Sequence, residues 1–107
     1  MDDLLSWLQE FFASRCDGNW EHQKGIKIET LDNPGWSVKV ELTDTILENL
    51  AFSEIHDEQD ADHWIVCRVR NNVFEGAGGA LDLKTIIDVF RSWYESVREI
   101  KTGENSA

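Results

Sequence analysis

The sequence is poor in the residues that interrupt, staple or anchor a chain. It has one proline and two cysteines among 107 residues. No apolar run is as long as a membrane-spanning helix, which needs about 18–20 residues. Cys16 and Cys67 form no disulfide framework, and Met1 is followed by two aspartates instead of the positive residues of a signal peptide. These absences argue against a disulfide scaffold and a membrane protein, and they predict a cytoplasmic location.

Positive charge is also scarce. Ten Lys and Arg stand against 21 Asp and Glu, which gives a formal net charge of −11. A field of this sign repels nucleic acid and anionic lipid and attracts basic partners. The sequence therefore disfavours nucleic-acid and membrane binding and favours a basic protein partner, although acidity that only keeps the protein soluble is the alternative explanation.

The acidic residues are densest in SEIHDEQDADH, residues 53–63. No Lys or Arg lies in this segment to relieve the repulsion between its carboxylates. It also lacks the glycine and the distal glutamate of an EF-hand calcium loop. We therefore predict a partner-binding surface rather than a metal site, formed by Glu54, Asp57, Glu58, Asp60 and Asp62.

Apolar spacing predicts a helix at each end of the chain. The first, DDLLSWLQEFFASRC, is capped by Asp2 or Asp3 and ended by Gly18, and its apolar stripe consists of Leu4, Leu8, Phe11 and Phe12, with Leu5 beside it. The second begins after Asp82 as N-cap, and its stripe is formed by Leu83, Ile86, Ile87, Phe90, Trp93, Tyr94 and Val97.

Between the helices the pattern favours strands. GIKIETLDNPGWSVKVEL predicts a hairpin whose type II turn has Pro34 at its second position and a positive-φ Gly35 at its third. TDTILENLAFSEI predicts a helical turn at 44–50 and a strand near 51–56. HWIVCRVRNNVF predicts one interior strand, and EGAGGALDLK predicts a glycine loop before the last helix.

These elements together predict the fold class. A chain of 107 residues can bury one core. We predict an α+β fold, an antiparallel meander of about four strands with the N- and C-terminal helices packed on one face. Residues 1–101 are assigned to a single domain, and residues 102–107 are expected to form a frayed C-terminal tail.

Catalytic and metal sites find little support in the sequence. A nucleophile at Cys16 would need His22 as its base, but the adjacent Asp17 raises the pKa of a thiol. His63 and Cys67 lie about 13 Å apart along a strand, which is too far for one ion. The glycines before the last helix lack the spacing of a phosphate-binding loop. We therefore predict no catalytic residue, no metal and no cofactor.

Several motifs in a fixed order carry a family resemblance. They are CDGNWEH, GIKIETLDNPGWSVKVEL, WIVCRV and GAGG, followed by the terminal amphipathic helix with Phe90 and Trp93. In this order they resemble the Immunity protein 53 family of bacterial polymorphic toxin systems, from the first helix to about residue 95 and most densely from Cys16 to Leu42. The resemblance implies an α+β immunity protein that binds and neutralises a cognate toxin, and it implies no catalytic residue.

Resemblance and charge together predict stoichiometric inhibition of a basic toxin by occlusion, with a nuclease as the expected kind of toxin. The acidic segment is the predicted main contact. Trp20, Glu21 and His22 are either a second contact or a lock that holds the first helix on the sheet. Two alternatives stay open: a small enzyme or ligand-binding domain that uses the Cys16–His22 loop, and an acidic accessory subunit of a larger complex.

Overall fold

The computed structural model describes residues 3–23 and 25–105. Its elements are α1 (Asp3–Arg15), α2 (Trp20–Gln23), β1 (Ile26–Leu31), β2 (Gly35–Glu41), β3 (Ile55–Glu58), β4 (Trp64–Arg70), β5 (Val73–Gly79) and α3 (Leu83–Asn105). This arrangement confirms the predicted α+β class with a helix at each end. Within the described ranges, no helix is both long enough and apolar enough to cross a membrane.

The strands form one antiparallel sheet of five, where about four were predicted, in the order β1-β2-β5-β4-β3. A simple meander would keep neighbours in chain order, but β2 lies beside β5. The connection from β2 to β3 therefore crosses to the far edge of the sheet. On its way it packs the ring of Phe52 4.9 Å from Trp93 of α3 and 5.8 Å from Phe74 of β5.

The core lies between the helices and one face of the sheet. Phe90 of α3 contacts Phe74 of β5 and Phe11 of α1, with ring centroids 5.1 and 5.3 Å apart. Because strand side chains alternate between faces, Ile65 and Cys67 of β4 lie on the same face, and both are buried. The buried apolar residues are Leu4, Leu8, Phe11, Trp20, Val38, Val40, Leu42, Leu47, Ile65, Cys67, Phe74, Ile86, Ile87 and Phe90.

The predicted glycine loop before α3 is wrong, because EGAGG belongs to the central strand β5. A Cβ on Gly78 would lie 2.9 Å from the carbonyl oxygen of Trp64 and 3.1 Å from Cδ1 of Ile86 on α3. Gly76 faces the same isoleucine at even closer range. The glycines thus allow helix and strand to approach each other, a tertiary requirement that composition alone does not distinguish from a loop.

The hairpin of β1 and β2 is confirmed, but its turn differs from the predicted one. Gly35 is already part of β2, where it pairs with Leu31 and Gly79, and it is not among the positive-φ glycines of the described chain. The type II turn at NPGW is therefore wrong, and residues 32–34 form the connection. A Cβ on Gly35 would lie 2.5 Å from the carbonyl oxygen of Gly78, so close strand packing explains this glycine.

The predicted single strand HWIVCRVRNNVF is two strands joined by a tight turn. Asn71 and Asn72 have φ values of 54° and 61°, as a two-residue type I′ hairpin requires at both central positions. Asparagine tolerates this left-handed conformation better than most residues. The turn brings β5 back beside β4, which places β4 in the interior of the sheet as predicted.

The segment after β2 forms turns over residues 43–49 in place of the predicted helical turn, and the strand β3 begins only at Ile55. In these turns the backbone hydrogen bonds join residues three apart, as where the Glu48 N–H donates to the carbonyl oxygen of Thr45 at 3.1 Å. Asp44 and Asn49 have positive φ values of 68° and 62°. Left-handed residues at both ends prevent a continuous helix.

The terminal helices follow their predicted stripes with small differences. Leu4, Leu8 and Phe11 of α1 are buried, whereas Phe12 at the side of the stripe is 39% exposed. Asp2, one of the two predicted caps, lies outside the described residues. Helix α3 continues through Asn105, four residues into the segment predicted to fray, and 106–107 lie outside the described part. The division at residue 101 stays a prediction.

Candidate functional site

An acidic groove lies at the end of the sheet where the β1–β2 connection meets the β3–β4 loop. Its volume is about 730 Å³, and it is lined by Asn33, Pro34, Glu58, Gln59, Asp60, Ala61, Asp62 and Trp64. None of these described lining residues is Lys or Arg. The carboxylates of the acidic groove therefore face solvent without a cation among the residues that line it.

The structure brings together three of the five predicted acids. Glu58, Asp60 and Asp62 line the groove, and all three are exposed. Asp57 and Glu58 are consecutive in β3, where they pair with Ile65 and Trp64, so their side chains point to opposite faces of the sheet. Glu54 is exposed and precedes the strand. The predicted cluster is thus divided between the groove and its surroundings.

Asp60 gives the loop its shape. Its Oδ1 accepts hydrogen bonds from the backbone N–H groups of Asp62 (2.8 Å) and His63 (3.0 Å), and His63 Nδ1 lies 3.2 Å away. The Asp62 N–H and the His63 ring hold the pKa of Asp60 below its ordinary value. The Asp60 carboxylate in turn raises the pKa of His63. Because these bonds order the loop in the free protein, binding through it costs less conformational entropy.

The loop is also held against the rest of the fold. The carbonyl of Asp62 lies directly against Gly79, where a Cβ would collide with it. Asp82 occupies the predicted position before α3, and its Oδ2 accepts a hydrogen bond from the Trp64 N–H at 3.0 Å. This carboxylate therefore ties the start of β4 to the start of α3, a link that the predicted capping role did not include.

Trp64, Asn33 and Pro34 are groove residues that the sequence did not single out. Trp64 follows the acidic segment directly, which was a usable signal. Asn33 and Pro34 lie in a turn about 25 residues earlier in the chain, and only the strand order brings that turn to the loop. The sequence alone therefore does not predict that this turn lies next to the loop.

The residues of the second predicted contact, Trp20, Glu21 and His22, also differ in their surroundings. Trp20 is part of the core. Its side chain is 2% exposed, and its Nε1–H donates to the carbonyl oxygen of Glu41 at 3.1 Å. Its ring lies 6.2 Å from Phe11 and 5.8 Å from Phe12 of α1. Trp20 thus joins the first helix to the end of β2, the arrangement that the lock alternative describes, and its ring faces the core.

Glu21 completes a cap around the same loop. Its two carboxylate oxygens accept the N–H groups of Asp17 (3.0 Å) and Gly18 (2.8 Å). Asp17 Oδ1 in turn accepts the N–H groups of Asn19 and Trp20 at 2.9 and 3.0 Å. The Trp20 N–H first, and then that of Asn19, hold the pKa of Asp17 below its ordinary value. These reciprocal bonds satisfy the four N–H groups of residues 17–20, which lead into the start of α2.

The environment of Cys16 does not support its acting as a nucleophile with His22 as its base. Desolvation first, and then the charges of Glu21 and Asp17, raise the pKa of the Cys16 thiol, and its Sγ donates to the carbonyl oxygen of Phe12 at 3.3 Å. A thiol held protonated is a poor nucleophile. Over residues 3–23 and 25–105, no group of three or more His, Cys, Asp and Glu is placed to hold a metal ion.

Comparison with known proteins gives one match. The chain matches the family described as Immunity protein 53 over residues 5–95. No curated protein and no solved structure matches it. The matched part contains all five strands, the acidic groove and most of α3.

Proposed function

Because the chain belongs to the Immunity protein 53 family, we propose that it neutralises a cognate toxin by occlusion and that the acidic groove contacts a basic surface of that toxin. Membership of an immunity-protein family suggests toxin neutralisation; the groove and the charge of the toxin are the proposed parts. The observation that carries them is a set of three carboxylates in a groove lined by no Lys or Arg: Glu58 at the end of β3, and Asp60 and Asp62 on the ordered loop that follows.

The physical basis of the proposal is electrostatic complementarity. A net charge of −11 attracts a basic partner over a distance, and a groove lined by one sign of charge concentrates this attraction. Complementary charge speeds association and disfavours wrong partners more than it adds affinity. A toxin with a positive substrate-binding surface, such as a nuclease, fits this chemistry, and covering that surface inhibits it without any catalytic step.

The other predicted contacts have different places in this proposal. Glu54 precedes the edge strand β3, and Asp57 lies on it with its side chain on the face opposite to that of Glu58, so both stay candidate contacts outside the groove. His22 is exposed and Glu21 half-buried, so both stay candidates for a separate contact. Trp20 supports them from the core.

Reversing two charges tests the groove while leaving its shape intact. In the double variant Glu58→Lys/Asp62→Lys, Asp60 and its hydrogen bonds to the loop backbone are retained. The control, Asp88→Lys/Glu99→Lys, makes the same change of charge at exposed positions of α3. With the cognate toxin domain, sought in the genes next to this one, as the probe, we expect the groove variant to associate on the order of 10-fold more slowly at low salt than the control.

The same variants are tested for protection of cells that express the toxin. The groove variant should lose protection and the control should keep it. Equal association rates and equal protection for the two variants would rule out the groove as the contact. The double variant Cys16→Ala/His22→Ala should protect like the wild type, whereas a catalytic role for that loop requires loss of protection in a folded protein.

A further inference from the structure

The face of the sheet opposite the helices differs in charge from the rest of the protein. By register, its strand residues include four cations and four carboxylates, a net charge of zero: Lys27, Lys39, Arg68, Arg70 and Glu29, Glu41, Glu58, Glu75. The whole chain has 10 cations against 21 carboxylates. This sheet face therefore lacks the acidic excess that the rest of the chain carries.

The charges on this face are largely paired with each other. Arg68 Nε lies 2.9 Å from Glu75 Oε1, Arg70 reaches the same oxygen at 3.9 Å, and Lys27 lies 3.4 Å from Glu29. Pairs of this kind at the surface contribute little to folding stability. The face as a whole therefore has no net charge, although several of its cations are exposed.

A shallow depression lies in the middle of this face. Its volume is about 520 Å³. Ser37 and Ala77 pair in register and form its floor, and Val66 is the next residue across the sheet. Lys39 and Arg68 border it on one side and Trp64 on the other. We call this depression the sheet trough.

The sheet trough and the acidic groove form one continuous surface. Trp64 lines both, and it is half-buried. Protein interfaces combine a core with few net charges and a charged rim, and Trp and Arg are enriched among the residues that contribute most to binding. Here a depression with small floor residues, lined by the cations Lys39, Arg68 and Arg70 and by one carboxylate, Glu75, adjoins an acidic groove through a tryptophan.

We infer that the toxin-binding surface extends from the acidic groove across Trp64 into the sheet trough, where the toxin places a side chain without positive charge while its basic group occupies the groove. This inference rests on the proposed function, since the occupant is the same toxin. The charge of the trough excludes a toxin cation, because Lys39, Arg68 and Arg70 repel it. A uniformly basic surface is therefore rejected, which adds specificity to the attraction of the groove.

Filling the trough tests this inference. Ala77→Arg places a long side chain on its floor and removes no group that the wild type offers to a partner. Ala13→Arg is the matched control, since it makes the same substitution at an exposed position of α1 on the other side of the sheet. Both variants add one positive charge, so a difference between them reports the position and not the charge.

Binding is measured by biolayer interferometry with the same cognate toxin domain immobilised. We expect Ala77→Arg to raise the dissociation constant about 100-fold or more and Ala13→Arg to leave it within about threefold, as for a central and a remote position. Thermal unfolding confirms that both variants are folded. If Ala77→Arg does not fold, Ser37→Arg fills the same floor from β2 and takes its place.

The outcomes separate this inference from the proposed function. Wild-type affinity for a folded trough variant, together with loss of binding in Glu58→Lys/Asp62→Lys, overturns the trough and leaves the groove. Loss of binding in the trough variant alone supports the trough as the contact and overturns the groove. If the wild-type protein does not bind the toxin domain, both fall.

Discussion

Two acidic loops of this protein have the same turn hydrogen bonds but differ in the burial of the tryptophan that follows. In the loop at Asp17 and in the loop at Asp60, one carboxylate oxygen accepts two backbone N–H groups two and three residues further along the chain. The first loop leads into Trp20, which is buried, and the second leads into Trp64, which is half-buried and lines two surface depressions.

The difference between the loops lies in where their other carboxylates point. Glu21 turns back to accept the N–H groups of Asp17 and Gly18, so the first loop satisfies its own backbone. Glu58 and Asp62 point into the acidic groove. An acidic stretch followed by an aromatic residue thus becomes scaffold when the aromatic residue is buried and candidate contact surface when it is not.

Removing the two tryptophans should separate these roles most strongly. Trp20→Ala is expected to cost about 3–5 kcal/mol of unfolding free energy, because it leaves a cavity between α1 and β2 and removes the donor to the Glu41 carbonyl. Trp64→Ala should cost less than half as much, since its ring is already partly in solvent. Urea denaturation of both variants measures this. Similar losses would mean that the two loops do not differ in their structural role.

Removing the two turn carboxylates should have a smaller effect that points the same way. Asp17→Ala should lower the thermal unfolding midpoint more than Asp60→Ala, because Asp17 fixes the backbone that carries Trp20 into the core. Asp60→Ala should instead speed amide hydrogen exchange at Asp62 and His63, whose N–H groups lose their acceptor. A larger fall in the midpoint for Asp60→Ala would contradict the comparison.

The smallest expected effect is a pH dependence of the second loop. Asp60 raises the pKa of His63 above its ordinary value of 6.5. The protonated pair therefore stabilises the fold fully below about pH 6.5, and this stabilisation is lost as the pH rises through the raised pKa. Chemical-shift titration should show the pKa of His63 falling back toward 6.5 in Asp60→Asn. An unchanged value would mean that Asp60 is not the cause.

At acid pH both loops should lose stability, which provides a comparison for the His63 titration. The pKa values of Asp17, Glu21 and Asp60 are held below their ordinary values by backbone N–H groups. Their contribution is present above the ordinary carboxyl pKa and is lost as the pH falls through the lowered one. The two loops should therefore weaken together on the acid side, whereas the pairing of His63 with Asp60 adds a change near neutral pH in the second loop.

Local patterns predicted the elements whose side chains repeat regularly. The buried stripe of α1 and the inward residues of β4 follow from periods of 3.6 and 2, which are properties of neighbouring residues. The Asn71–Asn72 turn also had a local signal, since both residues tolerate positive φ. The glycines of β5 had none, because what they accommodate is Ile86 and the carbonyl of Trp64, which come from other parts of the chain.

The candidate site could be predicted only in part for the same reason. The acidic segment stands out by composition, and its membership of a partner surface stays a prediction. Its division into groove residues and edge residues depends on the alternation of β3. The presence of Asn33, Pro34 and Trp64 in one groove depends on strand order.

By itself the sequence determined the excess of negative charge, the alternating and helical stripes that select an α+β fold, and the family to which the chain belongs. Only the tertiary structure decided that Trp20 is buried while Trp64 lines the surface, and that the turn at residues 32–34 meets the loop at residues 59–63. The physical reason is the antiparallel order β1-β2-β5-β4-β3. It joins two hairpins that are far apart in the chain, and contacts between distant segments depend on how the hydrophobic faces pack, not on the residues beside them.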